Sequence, residues 1–239
     1  MSLIKLNNIS KSYNIKESKN TILCNLSLDI DTEQISVILG KSGCGKTTLL
    51  RLISKLENYD QGNICYPKDY TSSYVFQEPR LMPWLNVEDN ISFGIVDDSE
   101  KHLKVSNLAK IVGLENYLNA YPKQLSGGMK QRVALARALA TNPTLIYMDE
   151  PFAALDYFTR ENMQDEIIKL YQETKTGILF VTHNIDEALK IAHKIVVINK
   201  GEIAKVYDLK EELSKRDILS QEYMSIKKDI MYQIKKIGE

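Results

Sequence analysis

Two stretches of the chain combine the residue types and spacing that nucleotide chemistry requires. The first, GKSGCGKTT at 40–48, has the form G-x-x-x-x-G-K-[ST] between an apolar run and a helical pattern. Its glycines allow successive backbone N–H groups to point at phosphate oxygens, while Lys46 would reach the β- and γ-phosphates and the Thr47 hydroxyl would hold Mg²⁺. The predicted triphosphate-binding residues are Gly40, Lys41, Ser42, Gly43, Cys44, Gly45, Lys46, Thr47 and Thr48.

The second stretch, LIYMDE at 145–150, supplies acidic groups. Its apolar residues predict a buried strand that ends at Asp149, whose carboxylate could reach Mg²⁺ through a water. Glu150 follows, and a second carboxylate there suits a general base that orients the attacking water. The two stretches together predict a site that binds and hydrolyses a nucleoside triphosphate with Mg²⁺.

A second glycine-containing stretch, QLSGGMKQRVALARAL at 124–139, precedes a periodic helical pattern. Ser126 is suited to cap the helix, and the N–H groups of Gly127 and Gly128 at its positive end would form another anion site. Helical periodicity predicts a buried stripe on one face and polar residues elsewhere. The predicted stripe is Met129, Val133, Ala136 and Ala140; the residues predicted to face elsewhere are Lys130, Gln131, Arg132 and Arg137.

Short apolar runs and helical patterns alternate along the rest of the chain, which predicts an α/β fold with a mostly parallel sheet. Alternating apolar residues near the start predict a smaller antiparallel sheet, and residues 86–140 predict a helical subdomain. We expect one domain over 1–239. Its predicted parts are an α/β nucleotide-binding core with the antiparallel subdomain at 1–85 and 141–210, the helical subdomain at 86–140, and a C-terminal helical extension at 211–239.

The overall composition excludes several classes of protein. Lys and Arg number 31, as do Asp and Glu, so no basic excess favours a nucleic-acid partner. No apolar run reaches the roughly 18–20 residues of a membrane span, and the N-terminus lacks the apolar core of a signal peptide. The three cysteines show no pairing pattern. We therefore expect a cytoplasmic globular protein without disulfides or zinc.

The three motifs, in this order, make the sequence similar to the ATP-binding subunits of ABC transporters over nearly its whole length. The resemblance implies a P-loop NTPase (RecA-like) fold and further site residues. Tyr13 in ISKSY would stack on adenine, Gln77 in VFQEP would approach Mg²⁺ and the water, and His183 in FVTH would contact the γ-phosphate. Asp156 in AALD would contact the opposite subunit. The residues implied to contact the ATP held by a second copy are Ser126, Gly127, Gly128 and Gln131.

The stretch VFQEPRLMPWLNVEDNI at 75–91 resembles ATPases of nitrate, sulfonate and taurine importers. The implied partners are a second copy of the chain, two integral-membrane permease subunits and, indirectly, an extracytoplasmic solute-binding protein. The implied location is the cytoplasmic face of the cell membrane. Lys41 and Asn184 depart from the residues common in relatives, but neither position is expected to supply an essential side chain.

Several alternatives stay open on the sequence alone. Within the transporter class, the chain could serve an exporter of lipids or peptides. A non-transport ABC ATPase acting on DNA or ribosomes, or a nucleotide-binding module without hydrolysis, fits less well. Trp84 could anchor a short helix of the membrane subunit or fill the core. The C-terminal apolar stripe could pack on its own domain or face a subunit or membrane; it comprises Leu219, Tyr223, Ile226, Ile230, Ile234 and Ile237.

Overall fold

A computed structural model describes residues 2–15, 18–95 and 99–235, and these contain β-strands and α-helices in alternation. The strands are β1 (Leu3–Ile15), β2 (Ser18–Asp31), β3 (Ile35–Leu39), β4 (Gln61–Cys65), β5 (Ser72–Val75), β6 (Leu145–Asp149), β7 (Gly177–Thr182), β8 (Lys194–Asn199) and β9 (Glu202–Asp208). The helices are α1 (Lys46–Ile53), α2 (Val87–Ser92), α3 (Lys101–Ile111), α4 (Gly127–Leu139), α5 (Tyr157–Thr174), α6 (Ile185–Ile191) and α7 (Gln221–Lys235).

The chain divides into two compact units. The first unit contains Met1–Tyr70 and Gly177–Glu239, and the second contains Thr71–Thr176. The boundaries expected from the sequence divide the chain by function rather than by compactness, and they stay predictions. None of the helices in the described part of the chain is long and apolar enough to cross a membrane.

A central sheet in the first unit has the strand order β7-β3-β8-β9. β3 runs parallel to β7 and β8, while β9 is antiparallel to β8. Every residue of β3 and β7 is buried, because a parallel strand is covered on both faces. In register, Leu39 pairs with both Thr182 and Val197. The carboxyl ends of these three strands therefore lie together at one edge of the sheet.

The first unit also contains an antiparallel sheet with the order β2-β1-β4. Toward its carboxyl end, β2 alternates buried and exposed residues, with Leu26, Leu28 and Ile30 on the buried face. This pattern is what a sheet with one covered face requires. The predicted antiparallel sheet is confirmed, although β4 was not predicted. Its five residues include only one buried side chain, that of Ile64.

The second unit is built around a parallel pair, β5 and β6. Helices α2, α3 and α4 lie between these strands in the chain, and α4 packs against β5, α2 and α3. α5 follows β6. The first four residues of β6 are buried, as its apolar sequence predicts. The predicted α/β class, with a largely parallel sheet, an antiparallel sheet and a helical segment, is confirmed.

The C-terminal extension forms a helix, α7, that packs on its own unit. Tyr223 and Ile230 are buried, and α7 contacts α6, β8 and β9. Leu219 precedes the helix and is 79% exposed, so it does not belong to the buried stripe. Ile237 lies outside the described residues. The prediction that the stripe packs on its own domain is thus confirmed for the centre of the helix.

Candidate functional site

The loop at 40–48 connects the buried strand β3 to α1, which begins at Lys46. Gly43 and Gly45 have φ values of +80° and +104°, which residues with a Cβ rarely adopt. At Gly40 the constraint is steric, since a Cβ there would overlap the carbonyl oxygen of Ile198. The loop therefore needs glycine for its backbone shape, and the positive end of the α1 dipole faces it, as in an anion site.

Lys46 is held inside this loop. Its side chain is only 4% exposed, and its ammonium donates hydrogen bonds to the carbonyl oxygens of Gly40, at 2.9 Å, and Lys41, at 3.0 Å. A buried cation needs such partners to offset the loss of hydration. The loop thus carries a positive charge at its centre, where a triphosphate would need one.

His183 leaves the same edge of the sheet as the loop at 40–48. It follows Thr182, which pairs in register with Leu39, the residue before Gly40. The turn after it is fixed by Asn184, whose side-chain oxygen accepts hydrogen bonds from the N–H groups of Asp186 (2.9 Å) and Glu187 and caps α6. The structure brings His183 and the loop to one sheet edge, but the contact with a γ-phosphate stays a prediction.

Tyr13 lies on β1, opposite Asn20 of β2. Burial raises the pKa of its hydroxyl, and a hydrogen bond with Glu57 acts in the same direction, while one with Thr48 lowers the pKa. The Lys11 ammonium lies 5.3 Å from the centre of the ring. Tyr13 is thus connected to the end of the loop at 40–48 through Thr48, whereas stacking on adenine is untested.

In the second unit, the acidic pair follows β6. Asp149 is half-buried and accepts a hydrogen bond from the Tyr74 hydroxyl at 3.2 Å. Glu150 has a φ of +44°, a left-handed conformation that is costly for a non-glycine residue. Strained backbone of this kind concentrates at functional sites. Gln77 follows the neighbouring strand, since Val75 pairs with Met148, so Gln77 and Glu150 leave the same edge of the β5–β6 pair.

The second glycine pair begins α4 as the sequence predicts. The Ser126 hydroxyl accepts a hydrogen bond from the N–H of Met129 at 3.2 Å, so the predicted cap is confirmed. A Cβ at Gly128 would lie 2.8 Å from the Thr159 methyl group on α5, so glycine permits the close approach of the two helices. Gly127 is exposed at the helix N-terminus.

One prediction for α4 is wrong. Gln131 was expected to face away from the buried side, but only 3% of it is exposed. Its amide donates a hydrogen bond at 2.7 Å to the carbonyl oxygen of Pro151, the residue that follows Glu150 in the chain. α4 is buried on most of its surface, so the single buried stripe predicted from the sequence was too narrow. Within that stripe Met129 is only half-buried, while Val133, Ala136 and Ala140 are buried as predicted. Contact of Gln131 with a partner's ATP stays a prediction.

Asp156 caps the helix that follows the acidic pair. Its carboxylate accepts a hydrogen bond from the Thr159 N–H at 3.1 Å. Hydrogen bonds with the side chain and backbone of Thr159 hold the pKa of Asp156 below its ordinary value. Asp156 is exposed, and so are the adjacent aromatic residues Tyr157 and Phe158. Contact of this corner with an opposite subunit is not tested by the single chain.

The loop that carries Trp84 is held from behind by residues that the sequence did not single out. Trp84 itself is 73% exposed, so the interpretation as core filler is wrong. Asn90, fully buried, accepts a hydrogen bond from the N–H of Met82 at 2.9 Å and donates one to the Leu85 carbonyl at 3.0 Å. Arg137 donates to the Pro79 carbonyl at 2.9 Å. These contacts fix the loop while the indole faces outward.

Oxygen donors suited to Mg²⁺ are present in both units. Within residues 2–15, 18–95 and 99–235, no group of three or more His, Cys, Asp and Glu residues is placed to hold a metal ion. Mg²⁺ at phosphate sites usually keeps waters and takes one or two protein oxygens together with the phosphates. The Thr47 hydroxyl and the Asp149 carboxylate are oxygen donors of this kind, and their binding of Mg²⁺ stays a prediction.

Comparisons with known proteins agree with the motifs. A sequence family described as ABC transporter matches residues 23–153. The aliphatic sulfonates import ATP-binding protein SsuB of Bacillus thuringiensis subsp. konkukian is 36% identical over 98% of this chain and 97% of its own length. SsuB 2 of Pseudomonas syringae pv. tomato is 46% identical over 75% of this chain and 76% of its own length.

Among solved structures, a dimeric ATP-binding cassette in a post-hydrolysis state bound to ADP and Pi is similar to this chain. The TM-score is 0.75 at 31% identity, and the match covers 87% of this chain and 99% of that one. The predicted P-loop NTPase fold is therefore confirmed.

Proposed function

Because this chain belongs to the ABC transporter family, as an ATP-binding subunit that hydrolyses ATP, we propose that it powers import of a small anion of the sulfonate, nitrate or taurine type or a related molecule. The observation that carries the proposal is the likeness to an aliphatic sulfonates import protein, 36% identical over 98% of this chain. That likeness extends over both units, and therefore includes the loop at 75–91.

We assign the binding of ATP to Tyr13 and the loop at 40–48, with Lys46 neutralising the β- and γ-phosphates. The buried ammonium in that loop supports this role, because a cation already desolvated interacts strongly with an incoming anion. Thr47, Gln77 and Asp149 would hold Mg²⁺, Asp149 through a water. When bound, the metal would neutralise charge on the phosphate oxygens.

We assign the hydrolytic step to Glu150, Gln77 and His183. Glu150 would orient the attacking water as a general base, and Gln77 would position the same water. The strained φ of Glu150 supports its assignment, because the fold retains an unfavourable backbone there. His183 would contact the γ-phosphate from the turn after β7, a turn that the Asn184 cap fixes.

A second copy of the chain would complete each ATP site. The γ-phosphate of the ATP bound to that copy would be faced by Ser126, Gly127, Gly128 and Gln131. Asp156 would contact the second copy itself. The dimeric form of the similar ATP-binding cassette supports this arrangement. In this chain the Gln131 amide also donates a hydrogen bond to the Pro151 carbonyl oxygen, which holds the start of α4 beside the segment after Glu150.

The membrane partners would be two permease subunits, served by an extracytoplasmic solute-binding protein, with this chain at the cytoplasmic face of the membrane. The Trp84 loop supports such a contact. An outward-facing indole on a loop that Asn90 and Arg137 fix is a suitable anchor, because a rigid aromatic side chain loses little entropy when a partner covers it.

Solute uptake in cells that lack this chain tests the proposal. Deletion should abolish uptake of radiolabelled ethanesulfonate and leave uptake of sulfate unchanged. The wild-type chain should restore uptake, whereas Glu150→Gln should not, although it should still bind ATP and accumulate ATP-bound dimers. Undiminished ethanesulfonate, taurine and nitrate uptake in the deletion strain would refute the assigned solute class.

A matched variant separates the hydrolytic role from general damage. Glu161→Gln changes a half-buried carboxylate on α5 that accepts a hydrogen bond from the Tyr157 hydroxyl at 3.0 Å. It should restore uptake like wild type. If Glu150→Gln hydrolysed ATP at the wild-type rate, Glu150 would not be the general base.

A further inference from the structure

The end of β8 is bonded to the C-terminal turn of α7. Asn199, the last residue of β8, is 8% exposed. Its side-chain amide donates hydrogen bonds to the carbonyl oxygens of Gln233, at 3.0 Å, and Ile234, at 3.1 Å. The last carbonyls of a helix have no partner within the helix, so a donor from another element is needed to satisfy them. Asn199 therefore fixes α7 to the carboxyl end of β8.

The backbone next to Asn199 is in close contact with the loop at 40–48. A Cβ at Gly40 would overlap the carbonyl oxygen of Ile198, the residue before Asn199. The register places Val197 beside Leu39, so β8 and β3 reach this edge together. The contact leaves no space between the two backbones. A displacement of Ile198 must therefore displace Gly40 or open a gap against it.

A second bond joins α7 to the turn after His183. The Lys227 ammonium lies 2.5 Å from a carboxylate oxygen of Asp186, which is in the first turn of α6. A third bond lies elsewhere: Asp229 accepts hydrogen bonds from Lys205, at 2.6 Å, and from the Tyr207 hydroxyl, at 2.8 Å, both on β9. These five hydrogen bonds hold one helix at three places, and at the first of them the preceding residue, Ile198, lies against Gly40.

We propose that Asn199 is a positioning residue for ATP binding: by tying β8 to α7 it holds Ile198 against Gly40 and so fixes the start of the loop at 40–48. The inference rests on the proposed ATP site in that loop. Asn199 itself touches no nucleotide. It acts through the Ile198–Gly40 contact, and α7 thereby becomes part of the structure that sets affinity for ATP.

Equilibrium binding of a fluorescent ATP analogue to the full chain tests this role. Asn199→Ala should raise the Kd about 2- to 30-fold, the range for substitutions that act on a ligand without touching it. The KM for ATP should rise by the same factor, with kcat unchanged at saturating ATP. Asn199→Asp, which has the same size but cannot donate, should behave in the same way. Asn199→Ser, which retains one hydrogen-bond donor, should have a Kd nearer to that of the wild type.

Lys205→Ala is the matched control, because it removes a side-chain bond between β9 and α7 and leaves the Asn199 side chain and its bonds to α7 in place. It should lower stability to urea and leave the Kd for ATP unchanged. An unchanged Kd in Asn199→Ala and Asn199→Asp would overturn the proposal, and so would an equal rise of Kd in Lys205→Ala. If Asn199→Ala fails to fold, Asn199→Asp and Asn199→Ser are judged by the same criteria.

The outcomes also separate this inference from the proposed ATP site. If the wild-type chain binds the analogue and Lys46→Ala does not, the site at 40–48 stands whatever the Asn199 variants do. If Lys46→Ala binds as tightly as wild type, the site itself is wrong, and the role of Asn199 falls with it.

Discussion

The left-handed backbone conformation of Glu150 should lower the free energy of unfolding by a measurable amount. Its φ of +44° lies in the left-handed region, which costs a residue with a Cβ roughly 1–2 kcal/mol. The next residue is Pro151, and the ring of a proline further restricts the residue before it, which normally adopts an extended conformation. Glu150 therefore combines two local conflicts at the position assigned to the general base.

Replacement by glycine should remove this strain. Compared with Glu150→Ala, which keeps a Cβ, Glu150→Gly should recover the roughly 1–2 kcal/mol of left-handed strain. It should lose about 0.5–1 kcal/mol, because an unfolded glycine has more conformational freedom. At the midpoints of these two ranges the net gain is about 0.75 kcal/mol, or about 1.5–3 °C in Tm for a chain of this length. Both variants should lose ATP hydrolysis, because both lack the carboxylate.

Urea unfolding and thermal melting of the two variants measure the difference. Alanine is the correct reference, since both substitutions remove the interactions of the Glu150 side chain. Lys175 supplies the matched control: it ends α5 with a φ of +55° and its backbone N–H bonds to the Tyr171 carbonyl. The free energy of unfolding of Lys175→Gly should exceed that of Lys175→Ala by a similar amount, and both variants should retain ATP hydrolysis. A gain at Lys175 and none at Glu150 would refute the strain argument.

Three further predictions concern other parts of the chain. Hydrogen bonds hold the pKa of Asp229 below its ordinary value, and the bond from Lys205 has the largest effect. Its stabilising effect is complete above the unfolded pKa of about 3.9 and is lost as pH falls through the lowered folded pKa, so the stability deficit of Asp229→Asn in urea should shrink between pH 6 and pH 2. Trp84→Ser should change the free energy of unfolding by less than about 0.5 kcal/mol, since the side chain is 73% exposed; a larger loss would place it in the core. With the exposed Cys24 and Cys65 replaced by Ser, alkylation of the buried Cys44 should block ATP binding, and full binding after complete modification would contradict this.

The elements closest to the candidate site were the most predictable from sequence. β3 and β7 are easy to detect in the sequence because each is a continuous apolar run, as burial on both faces requires. β4 and β9 were missed. Each lies at the edge of its sheet, with most side chains exposed, so neither has an apolar pattern by which to detect it.

Four of the predicted site residues share one structural origin, because each follows a parallel strand at its carboxyl end. Gly40 and His183 follow strands that pair at Leu39 and Thr182 in the first unit. The segments that contain Gln77 and Glu150 follow a pair in the second unit. An apolar strand followed by polar or glycine residues is visible in the sequence. Parallel pairing then brings the ends of such strands to one edge, although they are far apart in the chain.

The contacts that sequence analysis missed share a different property, because in each the acceptor is a backbone carbonyl. Gln131 bonds to the carbonyl of Pro151, Arg137 to that of Pro79, and Asn199 to those of Gln233 and Ile234. Every residue has a carbonyl, so the acceptor's identity leaves no trace of the contact in the sequence. The donor gives no periodic signal either, since one buried amide or guanidinium on a helix or strand resembles an exposed polar residue. Contacts of this kind hold the loops in place, and only the three-dimensional structure identifies them.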